Sequence, residues 1–100
     1  MRSVEVEGHS LQATVEGEGE PTIVLVHGTP TNRQLWRDVV PRLSPHRRVI
    51  APDLLGFGDS DKPADVTYDL PTLARHLGAQ LDALGVGRCV LVSMDLGLLV

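Results

Sequence analysis

Three short apolar runs, separated by longer segments with helical patterning, constrain the fold of this chain more than any other feature. The runs span residues 22–26, 48–51 and 88–92 and are rich in valine, isoleucine and leucine. Runs of this length are typical of strands that are covered on both faces of a sheet. The segments between them, 33–43 and 69–84, are long enough to connect parallel strands through helices. The sequence therefore predicts an α/β fold with a doubly wound, mostly parallel sheet.

Two further strands are predicted ahead of these runs. Val4 and Val6 alternate with glutamates, and Leu11, Ala13 and Val15 alternate with polar residues beyond a glycine. This period of two is typical of half-covered strands, and two such strands joined by a short turn form a hairpin. We therefore expect an N-terminal antiparallel hairpin.

The longer helical segment has recognisable ends. Asp69 is suited to cap the first turn, and Pro71 falls where its missing N–H is not needed. Gly85 is suited to the position just after the helix. The apolar residues between them form one stripe at helical spacing: Leu70, Leu73, Ala74, Leu77, Leu81 and Leu84. A shorter helix, with Trp36 among its apolar residues, is expected within residues 33–43.

Composition and charge limit the classes of partner. The chain has 100 residues, 42% of them hydrophobic and 22% charged, as is typical of one globular domain. Its net charge of −4 gives no attraction to nucleic acid or to an anionic membrane. No signal-peptide pattern and no run of about 18 apolar residues is present, so we expect a cytoplasmic protein. The single cysteine, Cys89, lies within an apolar run and is expected to be a buried free thiol.

No metal site or cofactor is expected. The four histidines are scattered along the chain, and no Cys/His cluster has the spacing of metal ligands. The segment 56–58 begins like a dinucleotide-binding fingerprint, but the third glycine is missing and no helix follows.

Three predicted loops leave from the carboxyl ends of the parallel strands, where ligands bind in doubly wound sheets. They span residues 27–32, 53–61 and 93–97. Asp53 and Asp59 on the second loop could act as paired catalytic carboxylates. Turn-forming and loop-bracing roles fit these two residues better.

The segment 93–97, Ser-Met-Asp-Leu-Gly, fits a sharp strand-to-helix turn that exposes a nucleophile. In such an elbow the residues two before and two after the nucleophile must be small, because the strand and the helix approach closely. Ser93 and Gly97 meet this requirement around Asp95, which we predict to be the nucleophile. Two alternatives stay open. Ser93 could be the nucleophile, with Leu91 at a position that favours a small residue, or Asp95 could merely cap a helix.

Several motifs together resemble one known family. They are the segment 27–32, HGTPTN; the segment 35–37, LWR; and the segment 49–63, VIAPDLLGFGDSDKP. With the aspartate at the elbow, they resemble the haloalkane dehalogenase and epoxide hydrolase branch of the α/β-hydrolase fold. The resemblance extends from about residue 22 to residue 100.

The resemblance implies a hydrolase that acts on small organic molecules and needs no cofactor or metal. Asp95 would attack the substrate to form a covalent ester, which water then hydrolyses. The backbone amides of Thr29 and Leu96 would form the oxyanion or halide site. The residues expected to support these loops are His27, Gly28, Ser93 and Gly97.

Two positions depart from the dehalogenase pattern. Dehalogenases usually have a tryptophan directly after the nucleophile, whose indole N–H holds the departing halide, and here the residue is Leu96. Many also have asparagine at the position of Thr29. The substrate class, whether haloalkane, epoxide or ester, therefore stays open.

The resemblance also implies that residues 1–100 are the N-terminal part of one α/β-hydrolase domain, truncated just after the nucleophile elbow. In the family, the catalytic acid, the histidine and the cap domain come later in the chain. We therefore expect this 100-residue portion to be inactive by itself. Three alternatives stay open: a non-hydrolytic binding protein on the same scaffold, an inactive truncated fragment, and an esterase that uses Ser93.

Overall fold

The computed structural model describes residues 1–28 and 31–94. These residues form one five-stranded sheet with helices on its faces. The strands are β1 (Arg2–Val6), β2 (His9–Glu16), β3 (Thr22–Val26), β4 (Val49–Pro52) and β5 (Cys89–Ser93). Their order in the sheet is β1-β2-β4-β3-β5. Between the strands lie a 3₁₀ helix (Arg33–Trp36), α1 (Val40–Leu43) and α2 (Leu70–Ala83).

The pairing of the strands confirms the predicted topology. The strands β1 and β2 form an antiparallel hairpin, and β2 continues antiparallel to β4. The strand β3 is parallel to both β4 and β5. From β3 the chain therefore continues to β4 on one side of β3 and then crosses back to β5 on the other side of β3. This reversal defines a doubly wound sheet.

The helices lie on opposite faces of the sheet. The 3₁₀ helix and α1 pack on one face in a cluster formed by Leu25, Trp36, Val40, Val49 and Ala51. The helix α2 packs on the other face, where Leu77 joins the alternate residues Val24 and Val26. Because side chains alternate along a strand, β3 contributes Leu25 to one layer and Val24 and Val26 to the other.

The ends of α2 are those predicted from the sequence. The Asp69 side chain accepts a hydrogen bond from the Thr72 N–H at 2.9 Å, and Pro71 lies in the first turn. Gly85, just beyond the helix, has a φ of +75°, which a glycine adopts without strain. The apolar stripe did not predict that His76 and Gln80 would also be buried.

The predicted helix within residues 33–43 proved to be two short pieces. The first is a 3₁₀ helix capped by Asn32, whose side chain accepts the Gln34 N–H at 2.9 Å. The second, α1, has Pro41 in its first turn. Because Pro41 has no N–H to donate to the preceding turn, one continuous helix could not form its hydrogen bonds there.

The prediction that residues 88–92 form a buried strand was wrong about burial. The strand β5 is present, but Val90 and Leu91 are 49% and 51% exposed, and Cys89 is exposed rather than buried. In the described part of the chain β5 is the outermost strand on its side of the sheet, paired with β3. Apolar composition identified the strand correctly, but its burial depends on what packs against it.

The exposed strand leads to a prediction about the 100-residue chain on its own. We expect it to be poorly folded and to associate, because β5 presents an apolar surface and an unpaired edge. Replacing Leu91 with Gln should reduce this association. The matched change of Leu35, also exposed at 40% but away from β5, should not. Gel filtration and thermal unfolding test this, and a cooperative two-state melt of a monomer would contradict it.

In the described ranges, none of the helices is long and apolar enough to cross a membrane.

Candidate active site

The carboxyl ends of the three parallel strands lie at one edge of the sheet. The last residues of these strands are Val26, Pro52 and Ser93. Because β3 is parallel to both β4 and β5, all three residues lie at this edge, and Val26 is directly opposite Ser93. The winding of the chain reverses between β3 and β5. In folds of this type, such a reversal opens the crevice in which ligands bind. The expected position of the site therefore coincides with this reversal.

His27, the first residue after β3, is completely buried and is bonded to backbone at both ring nitrogens. The Leu54 N–H donates to Nε2 at 3.0 Å, so the imidazole proton lies on Nδ1, which is 2.9 Å from the Gly28 carbonyl oxygen. Burial lowers the pKa of His27. Phe57 contacts the ring edge-on at a centroid distance of 5.4 Å. A neutral imidazole with both nitrogens engaged is suited to joining two loops rather than to accepting a proton from water.

The Gly28 carbonyl group, directly after His27, is bound by Thr31. It accepts hydrogen bonds from the Thr31 N–H at 2.9 Å and from the Thr31 hydroxyl at 2.5 Å. The chain on both sides of residues 29–30 is thus fixed by local hydrogen bonds. Thr29, predicted to donate an oxyanion-hole amide, lies outside the described residues.

Asp53, the first residue after β4, has a fully buried carboxylate. Its Oδ1 accepts the Arg33 backbone N–H at 2.7 Å. Its Oδ2 binds the Arg33 guanidinium and accepts the Asp59 backbone N–H at 2.9 Å. Because both oxygens are engaged within the protein, the geometry favours a bracing role for Asp53 over acid–base catalysis.

Arg33 joins three elements around this carboxylate. Its Nη1 also lies 2.8 Å from Asp59 Oδ2, and its Nε donates to the Thr14 hydroxyl on β2 at 3.2 Å. Burial acts to lower the pKa of Arg33, but hydrogen bonds to Asp59 and Asp53 outweigh burial and raise it overall. The two carboxylates considered as a catalytic pair are therefore bound to one charged guanidinium.

The loop after β4 needs a glycine where it passes this cluster. Gly58 has a φ of +56°, and a Cβ at this position would collide with the Asp53 carboxylate. Ser60 fixes the next part of the loop, since its hydroxyl donates to the Asp53 carbonyl at 2.7 Å and accepts the Gln12 N–H at 2.9 Å. These contacts set the path of the loop beside the candidate site.

Sequence reasoning missed Arg33. The available signal was an aspartate directly after a buried strand, because a buried carboxylate needs hydrogen-bond donors or a cation nearby. The pairing of residues 33 and 53 follows from the side-by-side placement of β3 and β4 in the sheet, which a local pattern does not reveal.

The strand that leads into the predicted elbow continues through Ser93, which is half-buried. Asp95, Leu96 and Gly97 lie outside the described residues, so their arrangement stays a prediction. In the described ranges, no group of three or more histidine, cysteine, aspartate or glutamate side chains is placed to hold a metal ion.

Comparison with known proteins identifies the family. The family model of the alpha/beta hydrolase fold matches residues 21–97. This chain belongs to that family. The match includes the loop after β3, the loop after β4 and the segment predicted to form the elbow. It confirms the fold that the sequence motifs resembled.

Relatives of this alpha/beta hydrolase chain include enzymes with different substrates. It is 43% identical over 81 residues to a haloalkane dehalogenase of Mesorhizobium japonicum, covering 81% of this chain and 26% of that protein. It is 45% identical over 84 residues to a 2-hydroxy-6-oxo-2,4-heptadienoate hydrolase of Pseudomonas putida, covering 81% and 30%.

A crystal structure of a haloalkane dehalogenase from Agrobacterium tumefaciens superimposes on this alpha/beta hydrolase chain with a TM-score of 0.88 and 38% identity. The alignment covers 96% of this chain and 32% of that one. The chain thus spans about a quarter to a third of the length of the relatives that it matches.

Proposed function

We propose that the protein containing this chain is a hydrolase that uses Asp95 as a nucleophile on a small organic substrate, as a haloalkane dehalogenase or an epoxide hydrolase would. The observation that carries the proposal is the position of β5. This strand continues through Ser93 and ends beside β3 at the point where the winding reverses. Asp95 follows Ser93 by two residues, so it comes just after the end of β5, next to this reversal. The similarity to haloalkane dehalogenases supports the same chemistry.

The proposed reaction has two steps. In the first, a carboxylate oxygen of Asp95 forms a bond to an electrophilic carbon. As this bond forms, a halide leaves with its bonding electrons, or an epoxide C–O bond opens with its electrons on the oxygen, which takes up a proton from an acid in a later part of the protein. In the second, water attacks the carbonyl carbon of the resulting ester, and the alcohol is released. The backbone amides of Thr29 and Leu96 would stabilise the oxyanion formed in this step.

The second step needs a base to accept a proton from the attacking water. His27 does not suit this role, because Leu54 donates to its Nε2 and its Nδ1 proton faces the Gly28 carbonyl. We propose instead that His27 and Gly28 hold the loop after β3, as the resemblance implies. In the proposed mechanism the base is a histidine from a part of the protein beyond these residues.

Ser93 is a weaker candidate for the nucleophile. It lies within β5, opposite Val26, and is half-buried. An elbow centred on Ser93 would require the strand to end two residues earlier, whereas β5 includes Ser93. This placement supports Asp95 over Ser93, with Ser93 and Gly97 as the small residues on either side of the turn.

A second candidate function comes from the 45% identity to a 2-hydroxy-6-oxo-2,4-heptadienoate hydrolase. A panel containing a chloroalkane, an epoxide and a 2-hydroxy-6-oxo dienoate separates the candidates, using the protein produced from the natural gene. The proposal expects product from the chloroalkane or the epoxide. Turnover of the dienoate alone would favour the second candidate, and binding without turnover of any of them would favour a non-hydrolytic protein.

The substrate preference depends on Leu96. An indole N–H at this position would stabilise a leaving halide, and a preorganised donor of this kind contributes about 2–4 kcal/mol. Because leucine has no such donor, we expect weak activity on chloroalkanes and a relative preference for epoxides or activated esters. Changing Leu96→Trp should raise dehalogenation by about tenfold or more and epoxide hydrolysis by less.

The matched control is Leu96→Phe, which adds a ring without an N–H and should give no such gain. Halide release and diol formation are measured side by side for the folded variants. Fast chloroalkane turnover by the unchanged protein, with no gain from Leu96→Trp, would contradict the role assigned to Leu96.

A further inference from the structure

Two buried sets of hydrogen bonds attach the segment after β3 to two consecutive residues after β4. At the start of the segment, His27 Nε2 accepts the Leu54 N–H at 3.0 Å. At its end, the Arg33 backbone N–H donates to Asp53 Oδ1 at 2.7 Å, and the guanidinium binds Oδ2. Asp53 and Leu54 are adjacent in sequence, so one short piece of backbone sets the distance between both ends of the segment.

The segment between these attachments contains the predicted oxyanion-hole residue. It spans residues 28–32 and includes Thr29. The attachment at Arg33 differs from an ordinary loop contact, because one residue uses both its backbone N–H and its guanidinium on the same carboxylate. Arg33 is 9% exposed and Asp53 is fully buried.

We infer that Arg33 is a positioning residue for the segment 28–32, which contains the predicted oxyanion-hole residue Thr29, and that Arg33 acts through Asp53. The inference rests on the proposed function for its catalytic consequence. A buried ion pair adds little net stability compared with apolar side chains of the same volume. Its distinguishing property is directional geometry, since the guanidinium presents donors in a fixed plane. Arg33 thus fixes where the segment 28–32 ends relative to β4.

The test replaces the pair in a way that leaves no buried charge. The double variant Arg33→Met/Asp53→Asn removes both charges and keeps an amide oxygen that can accept one of the two backbone N–H groups bound by Asp53. The matched control is Arg75→Met, which removes an arginine from the exposed ion pair with Glu7. Both are made in the protein from the natural gene, and folding is verified by thermal unfolding.

Two measurements are made on each variant. A displaced oxyanion donor should slow ester hydrolysis more than ester formation, because the oxyanion develops in the second step. We expect ester hydrolysis to slow by about 10- to 100-fold, with the ester accumulating and KM falling together with kcat. Hydrogen–deuterium exchange should increase in the peptide covering residues 28–33 and stay unchanged in β3 and β4. Arg75→Met should change neither.

Exchange and hydrolysis rates equal to those of the unchanged protein, in a folded double variant, would overturn the inference. If the unchanged protein forms no ester with any substrate, the proposed function fails. Hydrogen–deuterium exchange in residues 28–33 then tests the positioning role by itself. Increased exchange in the double variant would support this role, and unchanged exchange would refute it. If the double variant does not fold, Arg33→Lys is measured by the same two readouts, because lysine keeps the charge but loses the planar set of donors.

Discussion

Replacing Asp95 with Asn is expected to lower kcat/KM at least about 1,000-fold, because the amide has nearly the shape of the carboxylate but is a very poor nucleophile. Loss of the serine nucleophile of a protease lowers kcat by about a million-fold. Steady-state assays on the preferred substrate measure the effect, and thermal unfolding confirms that the variant is folded. Mass spectrometry of the quenched reaction should detect the covalent ester in the unchanged protein and not in the variant.

The matched control for Asp95→Asn is Ser93→Ala, which removes the competing hydroxyl and keeps a small residue at the elbow. We expect this variant to retain kcat/KM within about tenfold, since the role proposed for Ser93 is steric. The opposite pattern, with activity lost in Ser93→Ala and kept in Asp95→Asn, would assign the nucleophile to Ser93 and the protein to the esterases.

Replacing Asp53 with Ala is expected to destabilise the protein by about 3–5 kcal/mol, because Arg33 loses its fully buried partner. The backbone N–H groups of Arg33 and Asp59 lose an acceptor as well. Urea unfolding of the protein from the natural gene measures the free energy of unfolding. Asp59→Asn is the control, since that carboxylate is 63% exposed and solvent weakens its ion pair with Arg33 toward the roughly 0–1 kcal/mol of surface pairs. An equal, small effect of both changes would contradict the bracing role of Asp53.

The parts of the fold that could be predicted are those with local signals. Alternating residues marked the hairpin, a continuous apolar run marked β3, and Asp69 and Gly85 marked the ends of α2. Each of these follows from the chemistry of a few neighbouring residues. The lengths of the segments between the apolar runs predicted a doubly wound, mostly parallel sheet, and the match to the alpha/beta hydrolase fold confirms this fold class.

The parts that could not be predicted depend on residues far apart in the sequence. Cys89 lies in an apolar run, yet it is exposed because β5 is the outermost strand on its side of the described sheet. In the sequence, nothing near Arg33 distinguishes it from an ordinary polar residue. Its partner Asp53 follows 20 positions later, directly after β4. His76 lies beside the apolar stripe of α2 but is buried, and its Nε2 lies 3.3 Å from Nδ1 of His9, 67 positions away in the sequence.

The candidate site was predicted in part. The sequence placed three loops after the carboxyl ends of β3, β4 and β5, and the structure shows that these three strand ends lie at one edge of the sheet. The roles of Asp95, Leu96 and Thr29 stay predictions. They rest on the spacing of the elbow motif and on the family resemblance.

Single-turnover labelling in heavy-oxygen water tests the role of Asp95 most directly. Excess protein from the natural gene is mixed with its substrate in H₂¹⁸O, and the reaction is stopped after one turnover. If Asp95 forms an ester that water attacks at the carbonyl carbon, the label enters the Asp95 carboxylate, and the first product carries unlabelled oxygen. Peptide mass spectrometry should then show a gain of one heavy oxygen at Asp95. Label found in the product alone, with Asp95 unlabelled, would contradict the account.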